Sequence, residues 1–252
     1  MEIFDSHAHY DDGAFDNDRE ALLAALPDSG VVGVICPGTG IASSQACIDM
    51  AQKHPYIRAA VGIHPSDLGH LPEDYIAQLR RLCTAAEVVA VGEIGLDYHY
   101  DTSPRTLQRA VFEAQLQLAK ELDLPVIVHD REAHEDVLHL LSTYRPRGVV
   151  HCFSGSVETM RETVALGMYI GLGGAVTFKN AKKPLEVAAA VPADRLLLET
   201  DAPYMTPVPY RGRRNDSAYI AQTAAGIAQV RGISADDLCR QAAHNTRVLF
   251  GL

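Results

Sequence analysis

The chain has 252 residues, 22 Lys plus Arg against 32 Asp plus Glu, a formal charge of −10, 11 histidines, five cysteines and no tryptophan. An apolar share of 47% over this length excludes a disordered chain and a small disulfide scaffold, and is enough for a large core. The negative charge argues against broad electrostatic wrapping of nucleic acid, but not against handling one phosphate in a pocket.

The opening MEIFDSHAHY has no basic region followed by an apolar run, so no signal peptide is expected. No apolar stretch reaches about 18 residues, so no membrane span is expected. Cys36, Cys47, Cys83, Cys152 and Cys239 are scattered with no C-x-x-C, which reads as free thiols in a cytoplasmic protein.

Short apolar runs recur at 2–6, 31–36, 57–63, 88–94, 125–129, 148–153, 168–172 and 196–200. They are continuous rather than alternating, as expected of parallel strands covered on both faces. Helix-length patterns lie between them at 17–28, 41–53, 73–84, 104–122, 132–143, 157–166 and 183–190, with two more near 217–231 and 235–249. In the segment 104–122, Ser103 is the expected N-cap and Pro104 the first-turn residue. Leu107, Val111, Ala114, Leu118 and Leu122 are expected on its apolar face. Eight β/α units predict an α/β chain, a single (β/α)8 TIM barrel over 1–252, with its active site at the C-terminal ends of the strands. An open doubly wound sheet is the alternative, weakened by the lack of a G-x-G-x-x-G or Walker motif after any strand. The segment from Asp201 to about Asp216 is the one long irregular stretch and should sit at the catalytic rim.

The expected strand ends carry the chemistry. His7 and His9 follow strand 1, His64 strand 3, Glu93 strand 4, His129 strand 5, His151 strand 6 and Asp201 strand 8. Two histidines spaced by two in a strand share a face and can hold one ion, although an H-x-H alone is equally often two satisfied polar side chains. Glu93 ends a buried run and needs a partner. It could pair with a Lys or Arg, or bridge two cations. The set divides into His7, His9, Glu93 and Asp201 for one divalent ion, and Glu93, His129 and His151 for a second. Zn, Mn and Mg are the candidate metals, with mixed His and carboxylate ligation favouring the first two. Asp201 is also placed to take a proton, and a hydroxide between ions roughly 4 Å apart would be the nucleophile. His64 reads as a substrate contact or proton donor. Arg131 and Arg213 are candidate substrate contacts, with Arg211 and Arg214 beside the latter. Residues 175–214 hold seven Lys or Arg against four Asp or Glu, whereas residues 1–20 hold one against seven. Such a charge run is as often a solvated face as a binding surface.

The strings DSHAHY, VGIHP, VGEIGLDY, PVIVHDREA, VVHCFSG and LLLETDAPY with RGRRN follow in order. Together they resemble the TatD family of metal-dependent deoxyribonucleases, within the wider amidohydrolase group, from Asp5 to the C-terminal HNTRVLFGL. The resemblance implies a TIM barrel with a two-metal site. By motif match His7 and His9 are its first ligand pair and Glu93 its bridging carboxylate. His129 and His151 are its second-metal histidines, and Asp201 its last ligand and base. His64 falls near the substrate. Ser6, Asp130 and Glu132 depart from the usual wording of the motifs beside the ligands.

The expected function is a divalent-metal-dependent hydrolase, a deoxyribonuclease of 3′-to-5′ exonuclease type acting on a DNA strand end, with no membrane and no obligate protein partner. The alternative is a metal-dependent amide or ester hydrolase, such as a D-aminoacyl-tRNA deacylase or a small-metabolite amidohydrolase. A third reading is a metal-stabilised scaffold without catalysis. His54, His70, His99, His134, His139 and His244 are left as surface or structural residues.

Overall fold

Eight strands, most of their residues buried, alternate with helices in this computed structural model, which describes residues 1–69, 71–100 and 102–252. His70 lies outside the described residues. The strands are β1 (Ile3–Asp5), β2 (Val31–Pro37), β3 (Ile57–Val61), β4 (Val88–Asp97), β5 (Val126–Arg131), β6 (Gly148–Val150), β7 (Tyr169–Leu172) and β8 (Leu196–Leu198). The helices are α1 (Arg19–Ala25), α2 (Ile41–Lys53), α3 (Tyr75–Leu82), α4 (Arg105–Glu121), α5 (His134–Tyr144), α6 (Val157–Ala165), α7 (Lys182–Ala190), α8 (Ile220–Arg231) and α9 (Ala235–Phe250).

All pairings are parallel and the strands follow in sequence order from β1 to β8. Backbone bonds join the last strand to the first. Ser6 N donates to Leu198 O (3.0 Å), Asp201 N to His7 O (2.9 Å) and His9 N to Ala202 O (2.7 Å). The sheet is therefore the (β/α)8 barrel expected from the alternation of runs.

Inside the barrel, Phe4, Ile35, Ile127, Val149 and Leu197 form one cluster with Ala243, Leu249 and Phe250 of α9. The last helix thus plugs the N-terminal end of the barrel. Asn245 fixes it there by donating to Ala193 O (2.8 Å) and Leu196 O (2.9 Å) at the start of β8. The opposite end, where the strands finish, stays open for a site.

Three local expectations need correction. Ser103 does not cap α4: the helix begins at Arg105, with Pro104 at the N-cap and no side-chain cap bond. Proline fixes the entry angle there, and the Ser103 carbonyl instead accepts from Gln108 Nε2 (3.0 Å). Leu107 is exposed, not part of the buried stripe. That stripe includes two polar residues, Gln108 and Gln115, both buried. Gln115 Oε1 accepts from Ile63 N (2.7 Å) and its Nε2 donates to Ile63 O (3.1 Å). Gln108 does the same for Asp97 N (2.9 Å) and Asp97 O (3.0 Å). One helix face thus holds the chain just before His64 and the far end of β4. Finally, β4 runs on to Asp97 instead of stopping at Ile94. Gly95 permits this: its φ is +147°, and a side chain there would strike the backbone carbonyl of His129.

All five cysteines are free. Among the described residues no helix is long and apolar enough to cross a membrane.

Candidate metal centre

The open end of the barrel gathers the predicted residues around one carboxylate. Glu93 is almost fully buried in β4, and its two oxygens meet different histidines. Glu93 Oε2 lies 3.3 Å from both His7 Nε2 and His9 Nε2. Glu93 Oε1 lies 2.8 Å from His151 Nε2, 3.0 Å from His129 Nδ1 and 3.4 Å from His64 Nε2. Asp201 Oδ1 sits on the first side, 3.8 Å from His7 Nε2 and 3.6 Å from His9 Nε2. Burial would push Glu93 up, but the imidazoles around it, His151, His64 and His7 foremost, hold it well below the ordinary carboxylate range.

The histidine nitrogens converge in pairs. His7 Nε2 is 3.0 Å from His9 Nε2, and His129 Nδ1 is 3.2 Å from His151 Nε2. The His7 and His151 rings stack with centroids 3.8 Å apart. Imidazole lone pairs aimed at one another beside a carboxylate repel, and a cation between them removes the repulsion. His7 Nδ1 and His151 Nδ1 have no hydrogen-bond partner, so the rings are not explained as ordinary buried hydrogen-bonded histidines. The donor set fits a divalent ion. Ligand atoms within 4.8 Å of one another come from His7, His9 and Asp201, from His7, Glu93 and His151, and from His64, Glu93 and His129.

His64 differs from the other four histidines. Its Nδ1 accepts from Ser66 N (3.1 Å), so the proton of the neutral ring sits on Nε2, which points at the centre. Burial lowers its pKa to about 3, which keeps the ring neutral. It faces the site as an N–H donor.

Three carboxylates behind these residues escaped the sequence reading. Asp97 Oδ2 accepts from His129 Nε2 (3.1 Å), which leaves Nδ1 as that ring's free lone pair. Glu199, fully buried, accepts from Cys152 N and approaches His151 Nδ1 at 3.7 Å. Room for it comes from Gly171, where any Cβ would overlap the Glu199 carboxylate. Asp5 accepts from His7 N (3.2 Å), Thr200 N (3.0 Å), Thr200 Oγ1 (2.6 Å) and Ser217 Oγ (2.7 Å). It staples the end of β1 to the end of β8, and so brings His7 and His9 to Asp201. A signal was present in the strings themselves. Asp5 and Glu199 each stand two residues before a predicted ligand, inside apolar runs that tolerate a carboxylate poorly without a partner, whereas Asp97 stands four after one, beyond the run at 88–94.

The arginines divide. Arg214 is structural, paired through both terminal nitrogens with Asp18 (2.7 Å each). Arg131 and Arg213 are exposed, lying over the rings of Tyr100 (4.8 Å) and Tyr210 (5.5 Å), and neither has a carboxylate within 4.0 Å among the described residues. The segment after Asp201 is pinned, not loose: buried Asn215 donates to Thr200 O (2.9 Å) and Tyr204 O (2.7 Å). Of the histidines left aside, His54 pairs with Glu20, His99 with Glu132 and His134 with Asp130.

Comparison with known proteins gives concordant matches. The profile of a family described as TatD related DNase matches residues 4–251. A metal-dependent hydrolase of Bacillus subtilis strain 168, YabD, described as uncharacterized, is 39% identical over 251 residues, covering 98% of each chain. The 3′-5′ ssDNA/RNA exonuclease TatD of Pantoea ananatis is 36% identical over 259 residues, covering 99% of this chain and all of its own. The crystal structure of YJJV, a TatD homolog from Escherichia coli K12, superimposes with a TM-score of 0.94 at 36% identity, covering 99% of this chain and 98% of that one.

Proposed function

The chain belongs to the family of TatD related DNases, and we propose that it is a divalent-metal-dependent nuclease that removes nucleotides from the 3′ end of a single strand. The observation that carries this reading is Glu93, whose two oxygens serve two separate sets of histidine nitrogens. In this reading His7, His9, Glu93 and Asp201 hold one cation, and Glu93, His129 and His151 hold a second. Zn, Mn and Mg are the candidates.

Bound there, divalent cations would supply Lewis acidity to a phosphoryl oxygen and acidify a water. The chain's own residues do the rest. Asp201 Oδ1, at the mouth side of His7 and His9, takes the proton of the water that attacks phosphorus. His64 Nε2–H donates to the scissile phosphate. A new O–P bond forms as the P–O3′ bond breaks, and the departing O3′ takes a proton from solvent water, to which Asp201 returns the proton it accepted. The products are a 5′-mononucleotide and a strand shorter by one residue. Arg131 and Arg213 are proposed to meet phosphates at the rim.

Incubation of a 3′-labelled single strand with the enzyme and a panel of Mg, Mn and Zn tests the proposal. Release of labelled mononucleotide is expected with metal and is lost with chelator. Faster hydrolysis of an aminoacyl ester on tRNA than of the strand would favour the carbonyl alternative instead.

The residue behind His129 offers an independent check. Asp97→Asn leaves the ring its neighbour but removes the charge that orients it. Affinity for one of two metal equivalents is expected to fall about 10- to 100-fold, as for other outer partners of metal-binding histidines. Titration calorimetry reads this directly, and unchanged affinity would detach His129 from metal binding.

A further inference from the structure

The mouth of the barrel is electrically lopsided. The segment after β1 carries Asp11, Asp12, Asp16 and Asp18, with Arg19 and Arg214 engaged on Asp16 and Asp18. The side formed by the β7–α7 connection and the segment after β8 carries Lys179, Lys182, Lys183, Arg211 and Arg213, all exposed. Among the described residues none of these five has a carboxylate within 4.0 Å, whereas Arg19, Arg109, Arg214 and Arg247 all do. What sets these five apart in a chain of net charge −10 is that they are exposed, lie on two adjoining segments and meet no carboxylate among the described residues.

The two segments form one surface. Val208 N donates to Thr177 Oγ1 (2.8 Å). The Arg211 guanidinium lies over the Phe178 ring, 4.0 Å from its centroid. Gly174 meets the backbone carbonyl of Met205 so closely that no side chain could stand there. The cations of both segments are therefore held side by side on a fixed support, next to the strand ends that carry Glu199 and Asp201.

We propose that the part of the single strand beyond the scissile bond leaves the centre over this side of the mouth, with Lys179, Lys182, Lys183 and Arg211 holding its backbone phosphates. The inference rests on the nuclease reading above and adds to it a path. A polyanion crossing the other side would face Asp11 and Asp12, which have no Lys or Arg within 4.0 Å among the described residues, and repulsion there directs it to the cationic side. Exposed lysines on a groove suit a backbone held without regard to base, as single-strand sites do.

Fluorescence anisotropy with a labelled deoxythymidine strand of about 12 nucleotides tests the path, in EDTA so that the strand stays intact. Each phosphate contact steepens the dependence of log K on log salt by about 0.7 on a single strand. The double variant Lys182→Ala, Lys183→Ala is expected to flatten that slope by about 1.4, two contacts' worth. Lys120→Ala, an exposed lysine at the far end of α4, is expected to leave the slope as in the wild type. Lys182→Arg with Lys183→Arg should restore it, which separates lost charge from lost folding. Equal slopes in wild type and the double alanine variant overturn the path. Failure of the nuclease reading looks different: the wild type would release no nucleotide with any metal, whatever the slopes.

Discussion

Glu93→Gln is expected to lower metal-dependent hydrolysis on the order of 1,000-fold, because removing cation stabilisation costs several kcal/mol of barrier. The substitution keeps volume and shape but removes the charge that both sets of histidines surround. One amide oxygen can still face one set, while the amide nitrogen turns a donor toward the other. The set that meets the amide nitrogen should lose its ion, and the other, left with a neutral oxygen, should hold its ion more weakly. A readout apart from activity is the melting temperature. A ion bound only by the folded chain stabilises it by mass action, so added Mn or Zn raises the wild-type midpoint. The Gln variant should lose most of that rise while keeping the wild-type circular dichroism. A full metal-dependent rise in the variant would remove Glu93 from the centre.

Asp201→Asn is the second large effect, with a fall in kcat of about 10²- to 10⁴-fold, the usual worth of a positioned proton acceptor. Asparagine is the right probe for a backbone reason. Asp201 has φ +57°, in the left-handed region, where Asn and Asp are tolerated far better than other side chains. Alanine would add backbone strain of about 1 kcal/mol or more and confuse the result. The amide cannot take a proton from water, yet its oxygen can still face His7 and His9. KM for the strand should change little. If excess metal restored the rate in the Asn variant, Asp201 would be a ligand only, and the proton acceptor would have to be sought elsewhere.

The reach and the failures of sequence reading have the same origin here. Parallel strands buried on both faces are written as continuous Val, Ile and Leu runs, so their number and order could be counted along the chain. Their ends were harder to place. The run at β4 ends at Ile94 in the sequence, yet the strand continues through Gly95, because a glycine at that φ passes close to the His129 backbone. Asp97 was missed for that reason alone. The stripe on α4 was misread for another. Gln108 and Gln115 look like surface residues in a helical pattern, but their amides close on the backbone of Asp97 at the end of β4 and of Ile63 just after β3. Such bonds span partners 11 and 52 residues apart, and no periodicity encodes them.

Order along the chain, the residues at the strand ends and the imbalance of charge are local properties, and local patterns of burial and side-chain type are enough to read them. Which side of Glu93 each histidine faces is not local. Neither is the choice of Arg214 for Asp18 while Arg131 and Arg213 meet no carboxylate among the described residues, nor the stapling of β1 to β8 by Asp5 across 195 residues. These depend on closing the barrel, which sets strand ends from distant parts of the chain within hydrogen-bond reach and selects one partner for each polar group among several that its type would allow.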